Sequence, residues 1–195
     1  MTPLVDKYQE LLDRISLTKS SHKTREAGVC AMEAAAWIAG EEHSDHPSCA
    51  CPVITSFMVN WNDALSSDID RDRLLKPLLP LVVDTRATKA IEKRRSYMAL
   101  DWLIREHIPE WLDLTPVLKP SGDALRATDE IVSAKSLRLI LPLLTKVRIK
   151  SDAARAAAGD AARAAAWAAA GDYLRPTVEK LQISAQDLVR LMCAA

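Results

Sequence analysis

One phenylalanine, three tyrosines and five glycines among 195 residues leave little from which to build a β-sheet, since strands favour aromatic and β-branched side chains. Alanine, leucine, arginine and glutamate dominate instead, the residues with the best helix propensity. Charge of either sign is not in excess, because 26 Lys plus Arg balance 26 Asp plus Glu. The net field therefore gives no general attraction to nucleic acid or to an anionic membrane, although local basic patches remain possible. No run of about 18 apolar residues occurs, which excludes a membrane-spanning helix. The first residues, MTPLVDKYQELLDR, meet charge at Asp6 and Lys7 without developing the apolar stretch of a signal peptide. A cytoplasmic location is expected. A disulfide framework would normally show more cysteines in a shorter secreted chain than the four here, Cys30, Cys49, Cys51 and Cys193, and Cys49 and Cys51 are too close in sequence to pair comfortably, so reduced thiols are expected.

What is present is helical periodicity. Leu4, Tyr8, Leu11, Leu12 and Ile15 fall on one side of a first helix over 3–17, and an alanine-rich second helix over about 24–39 ends at Gly40. Pro52 opens a third helix. Ser66, Ser67 and Asp68 restart the chain at an N-cap for the next piece, which Pro77 and Pro80 break up. A helix over about 86–107 is expected to end at Pro109. Residues 115–122, TPVLKPSG, read as the clearest linker, with a new helix starting in SGDALRATDEIV. A strongly apolar helix follows, ending near Lys150, and Pro176 is expected to begin the last one. DAARAAAG at 152–159 recurs as DAARAAAW at 160–167. This alanine-rich stretch is either a close-packed homodimer helix or a low-complexity helix lying on its own domain. The fold class is thus all-α, a bundle of about seven to nine helices with an alanine-rich C-terminal helix. It is expected to form a single domain over 1–195, with a main core over 1–149 and the remaining helices over 150–195 packed on it or on a partner.

Polar chemistry is densest between residues 28 and 63. Cys30, Glu33 and Trp37 share one helical stripe, and the turn-prone GEEHSDHPSCAC then brings Glu41, Glu42, His43, Ser44, Asp45, His46, Cys49 and Cys51. His43 and His46 with Cys49 and Cys51 offer ligand types that zinc accepts, but one ion would have to be wrapped within residues 43–51, and Glu33 with His43 and His46 makes an easier mixed set. No metal and no cofactor is assigned. Acid/base or nucleophilic chemistry would use His43 or His46 as base, Asp45 or Glu33 to orient it, and Cys30 or Cys49 as thiolate. The structural alternative is a polar plug in which Glu33 anchors the 40–51 loop through the His43 or His46 ring or loop amides. Asn62 and Asp63 add a further polar pair. The candidate binding residues are therefore Glu33, Glu42, His43, Ser44, Asp45, His46, Asn62 and Asp63, with catalytic residues unknown.

VCAMEAAAWIAGEEHSDHPSCACPVITSFMVNWNDAL, with DTRAT and RRSYMALDWLIREHIPEWLDL after it, resembles an uncharacterised family of small helical proteins of bacterial and phage genomes. The resemblance spans roughly residues 29 to 114, and AGEEHSDHPSCACPV is its most distinctive run. It implies one helical unit and a phage or prophage accessory origin, with no reaction and no functional residues to carry over.

No phosphate-cradling glycine loop, HExxH or nucleophile elbow is present. The leading expectation is a binding protein whose 40–51 loop meets a protein partner or small ligand. The alternative is a small metal-dependent or acid/base enzyme centred on Glu33, His43, Asp45 and His46. Neutral charge and the lack of a basic recognition helix disfavour nucleic acid.

Overall fold

The computed structural model describes residues 8, 10–158 and 160–195, without the side chains of 155–173. Every regular element among them is helical. After helical residues 10–13, and apart from short 3-10 and π turns, the α-helices in chain order are α1 (Ala31–Ala39), α2 (Pro52–Ala64), α3 (Asp68–Leu75), α4 (Leu79–Val82), α5 (Lys89–Trp102), α6 (Ile108–Leu112), α7 (Lys119–Arg126), α8 (Ala134–Ala158) and α9 (Asp160–Ala194). Among the described residues no helix is long and apolar enough to cross a membrane.

Several expected boundaries move, each for a local reason. The first helix stops by residue 13, and Leu17 is buried as irregular chain instead. The second is split: a 3-10 turn at Arg25–Ala27 ends at Gly28, whose φ of 143° an L side chain rarely adopts, and α1 restarts at Ala31. Pro109 does not end its helix. The backbone stays helical from Lys89 to Leu112, and just before the proline it passes through the π-helical turn Leu103–His107, where Ile108 N–H reaches Leu103 O, the kind of local widening that admits a proline ring. Pro120 instead lies in the first turn of α7, where its missing N–H needs no partner, so 115–122 is half helix, and the irregular connection is 127–133. There Ile131 N–H donates to Asp101 Oδ1 at 2.8 Å. The helix expected to end near Lys150 continues to Ala158, which puts the expected internal division at 149/150 inside α8. Pro176 lies within α9 rather than at its start. The starts of α2 at Pro52 and α3 at Asp68 stand as read: the Ser67 hydroxyl accepts from Asp70 N at 3.1 Å. The side chains of the 155–173 stretch, and with them most of the repeat and its dimer reading, lie outside the described residues.

The chain divides into two compact units. One comprises Met1–Arg95 with Val189–Ala195. In it α1 packs on α2 and α4, and Ala31, Ala34, Ala35 and Ala36 are fully buried, because a helix face of methyl groups allows close approach. Met32, Ile54, Met58, Leu75, Leu78 and Leu79 fill the rest of that core. Buried Arg95 donates to Met192 O at 2.7 Å and to Thr85 O at 2.5 Å, fixing the C-terminal turn. The other unit, Ser96–Leu188, is centred on Ile104, Leu112, Leu118, Leu125, Ile131 and Ile140.

Candidate functional site

Between residue 13 and α1 the chain is almost without regular structure, so its buried amides and carbonyls need side-chain partners. They find them. Leu17 N–H donates to Asp72 Oδ1 at 2.8 Å, Ser20 N–H to Asp63 Oδ1 at 2.9 Å, and His22 N–H to Glu33 Oε1 at 2.5 Å. Val29 N–H donates to the Thr18 hydroxyl at 3.1 Å, Cys30 N–H to Glu33 Oε2 at 2.7 Å, and Ala31 N–H to Asn62 Oδ1 at 3.2 Å. The Asn62 amide returns a bond to Thr18 O at 3.1 Å. Buried Arg71 then closes the end of α2, donating to the carbonyls of Asn62 and Leu65 and pairing with Asp68. Glu33, Asn62 and Asp63 thus hold an irregular segment in place.

Glu33 is 1% exposed and sits at the centre of this knot. Besides the two amides, its Oε2 lies 3.0 Å from His22 Nδ1. His43 Nε2 reaches within 3.4 Å of Oε1 while donating to His22 O at 3.1 Å. The main donors therefore come from residues 22 and 30, and the 40–51 loop contributes only His43, not His46. Burial alone would raise the Glu33 pKa, but the bonds from Cys30 and His22 outweigh it and hold the carboxyl below its ordinary value. His22 lies outside the dense 28–63 window. The signal that could have found it is Gly28, which folds the chain back so that an imidazole six residues earlier lies against α1.

Thr18 Oγ1, His22 and Glu33 stand in the order hydroxyl, imidazole, carboxylate, with Thr18 Oγ1 3.2 Å from His22 Nε2. That order suits a nucleophile and its base. Here the Thr18 oxygen already accepts from Val29 N–H and lies 3.4 Å from Val29 O. A Cβ on Gly28 would fall 2.5 Å from the His22 ring and 2.8 Å from Thr18 Oγ1, so backbone is packed against the hydroxyl and the ring. The relay is a packed structural element.

The 40–51 loop is fastened from inside. Gly40 in the left-handed region closes α1, and Glu41 gathers Ser48 N–H at 2.7 Å, the Ser48 hydroxyl at 2.9 Å and Cys49 N–H at 2.8 Å. Cys49 O accepts from Arg86 N at 2.8 Å, and Cys51 N–H donates to Thr85 Oγ1 at 3.0 Å. What remains outside is the tip. Glu42 is exposed, the Ser44 hydroxyl accepts from His46 N at 3.0 Å, and His46 Nδ1 pairs with Asp45 Oδ1 at 2.9 Å with the imidazole largely in solvent. The candidate residues thus separate into an internal set, Glu33, His43, Asn62 and Asp63, and an outward set, Glu42, Ser44, Asp45 and His46. Glu33, His43, Asp45 and His46 do not converge on one centre. Among the described residues no group of three or more His, Cys, Asp or Glu is arranged to hold a metal ion.

All four cysteines are free thiols. Burial pushes Cys30 up to about 12 and Cys193 to about 11, and burial also raises Cys49, against a thiolate role for Cys30 or Cys49.

The fold and this site define an all-α protein in which a polar knot around Glu33 lies beneath an exposed, internally hydrogen-bonded loop, with His43 Nδ1 buried and without a partner among the described residues. Comparison with protein-family models, curated proteins and solved structures gives no match to the chain.

Proposed function

We propose that the chain is a non-enzymatic interaction protein that presents the 40–51 loop to a protein partner or a small ligand. The observation that supports this reading is the division of labour within the loop. Glu41, His43, Cys49 and Cys51 meet its internal hydrogen-bonding needs, so folding makes no use of the carboxylate of Glu42 or the Asp45–His46 pair at its tip. A preorganised loop with uncommitted polar groups loses little conformational entropy on binding. A phage or prophage accessory role rests on the sequence resemblance alone. The enzymatic alternative has less behind it, since the hydroxyl, imidazole and carboxylate that align are packed against Gly28, and burial raises the thiols of Cys30 and Cys49.

The test is a quantitative affinity purification from the native host, comparing the wild-type chain with Glu42→Ala/Asp45→Ala/His46→Ala and with an exposed control, Arg94→Ala. Partners lost with the triple variant and kept with the control, at an unchanged Tm, support the reading. Identical recovery with all three chains overturns it.

A further inference from the structure

Helix α8 carries Lys135, Arg138, Lys146, Arg148 and Lys150, all exposed, and has no acidic residue from 134 to 151. None of the five forms an ion pair with a described residue, whereas three cations elsewhere in the same unit do: Arg126 with Glu110 at 2.8 Å and Asp113 at 2.7 Å, Lys180 with Glu110 at 2.8 Å, Arg105 with Asp101 at 3.3 Å. Two of the unmatched lysines, Lys146 and Lys150, are one turn apart and stand at a groove of about 280 Å³ between α7 and α8. Its wall is aliphatic, from Ala124, Leu143, Val147 and Ile149. The one hydroxyl in the lining belongs to Ser121, a residue only 4% exposed whose side chain makes no hydrogen bond with any described residue. An apolar trough with one unbonded hydroxyl, lined in part by two lysines that pair with no described acid, is complementary to a molecule with one alkyl chain and one anionic end.

We propose that this groove binds a free single-chain aliphatic carboxylate, the chain against Ala124, Leu143 and Val147 and the carboxylate held by Lys146 and Lys150. Size selects this class. At about 280 Å³ the groove falls just below the usual range of small-molecule sites, roughly 300–1,000 Å³, which suits one short alkyl chain. Charge selects the carboxylate over a neutral chain, because each ammonium gains a charged hydrogen-bond partner that the protein does not supply.

The experiment is isothermal titration of the full chain with hexanoate, octanoate and decanoate below their micelle-forming concentrations, with 1-octanol as the uncharged probe. Saturable binding is expected, tightening about fourfold per added methylene until the groove is filled. Lys146→Met/Lys150→Met, which keeps the apolar stems that line the groove and removes the charges, should weaken octanoate roughly tenfold and leave octanol unchanged, the loss expected for a charged hydrogen-bonded contact. Ala124→Leu, which fills the trough, should abolish both. Should Ala124→Leu fail to fold, the lysine variant decides alone. No saturable heat with any carboxylate, or equal octanoate affinity in the lysine variant, overturns the proposal. Binding to phosphatidylglycerol vesicles without binding of monomeric octanoate also overturns it and assigns the lysines to a bilayer surface.

Discussion

Three donors converge on the Glu33 carboxylate, the amides of His22 and Cys30 and the His22 ring, with His43 behind them. Removing the acceptor strands them in a dry site, so Glu33→Ala should cost about 3 kcal/mol, while Glu33→Gln keeps one oxygen and should cost less. Urea midpoints of both variants check this. The pH dependence follows from sign: the folded carboxyl titrates below its ordinary value, so its contribution is fully present above the unfolded pKa and is lost as pH falls through the lower folded one. Between pH 6 and pH 3 the wild type should lose more stability than Glu33→Gln; equal losses would remove the argument. Gly28→Ala attacks the same knot from its backbone side. A Cβ 2.5 Å from the His22 ring, at a φ of 143°, should destabilise by about 2 kcal/mol or more, measured as a lower Tm. The sequence disclosed that Glu33 needed a partner, because a carboxylate amid alanines on a helix is costly when unpaired. It did not disclose His22, since proximity there depends on a reversal at Gly28 that helical periodicity cannot encode.

At the scale of elements, what could be read were the starts with local chemistry. Ser67 caps α3 through Asp70 N–H, and Ser67→Ala should cost about 1 kcal/mol, visible as a drop in Tm. Pro52 at the head of α2 is equally local. The ends are harder to read. Pro109 and Pro176 look like breaks in the sequence, yet Pro109 follows a π-helical turn in an unbroken helix and Pro176 lies inside α9. Tertiary contact also settles the end of α2. There the buried Arg71 side chain, three residues into the next helix, accounts for the carbonyls of Asn62 and Leu65. Arg71→Met keeps the buried stem and removes the donors, so a loss of about 2 kcal/mol should appear in chemical denaturation, with the helix content of the folded state unchanged.

For the molecule as a whole, net charge is a poor guide, because a sum of zero conceals a helix with five cations and no anions over 134–151, in the same unit as the matched cluster of Arg126, Glu110 and Asp113. The all-α class was legible because composition alone starves a sheet. The partition of the chain was not, since it depends on which distant residues touch, and the two units part at 95/96 and 188/189. Leu125 is fully buried among Ile104, Leu112, Leu118 and Ile131, all within the 96–188 unit. Truncating it leaves a cavity that this unit alone surrounds, and Leu125→Ala should cost about 2–5 kcal/mol. If each unit opens on the strength of its own core, native-state hydrogen exchange should show faster amides in α6 and α7 while those of α1 and α2 keep their wild-type protection. Uniform acceleration across all four helices would instead mean that the two units unfold as one cooperative body.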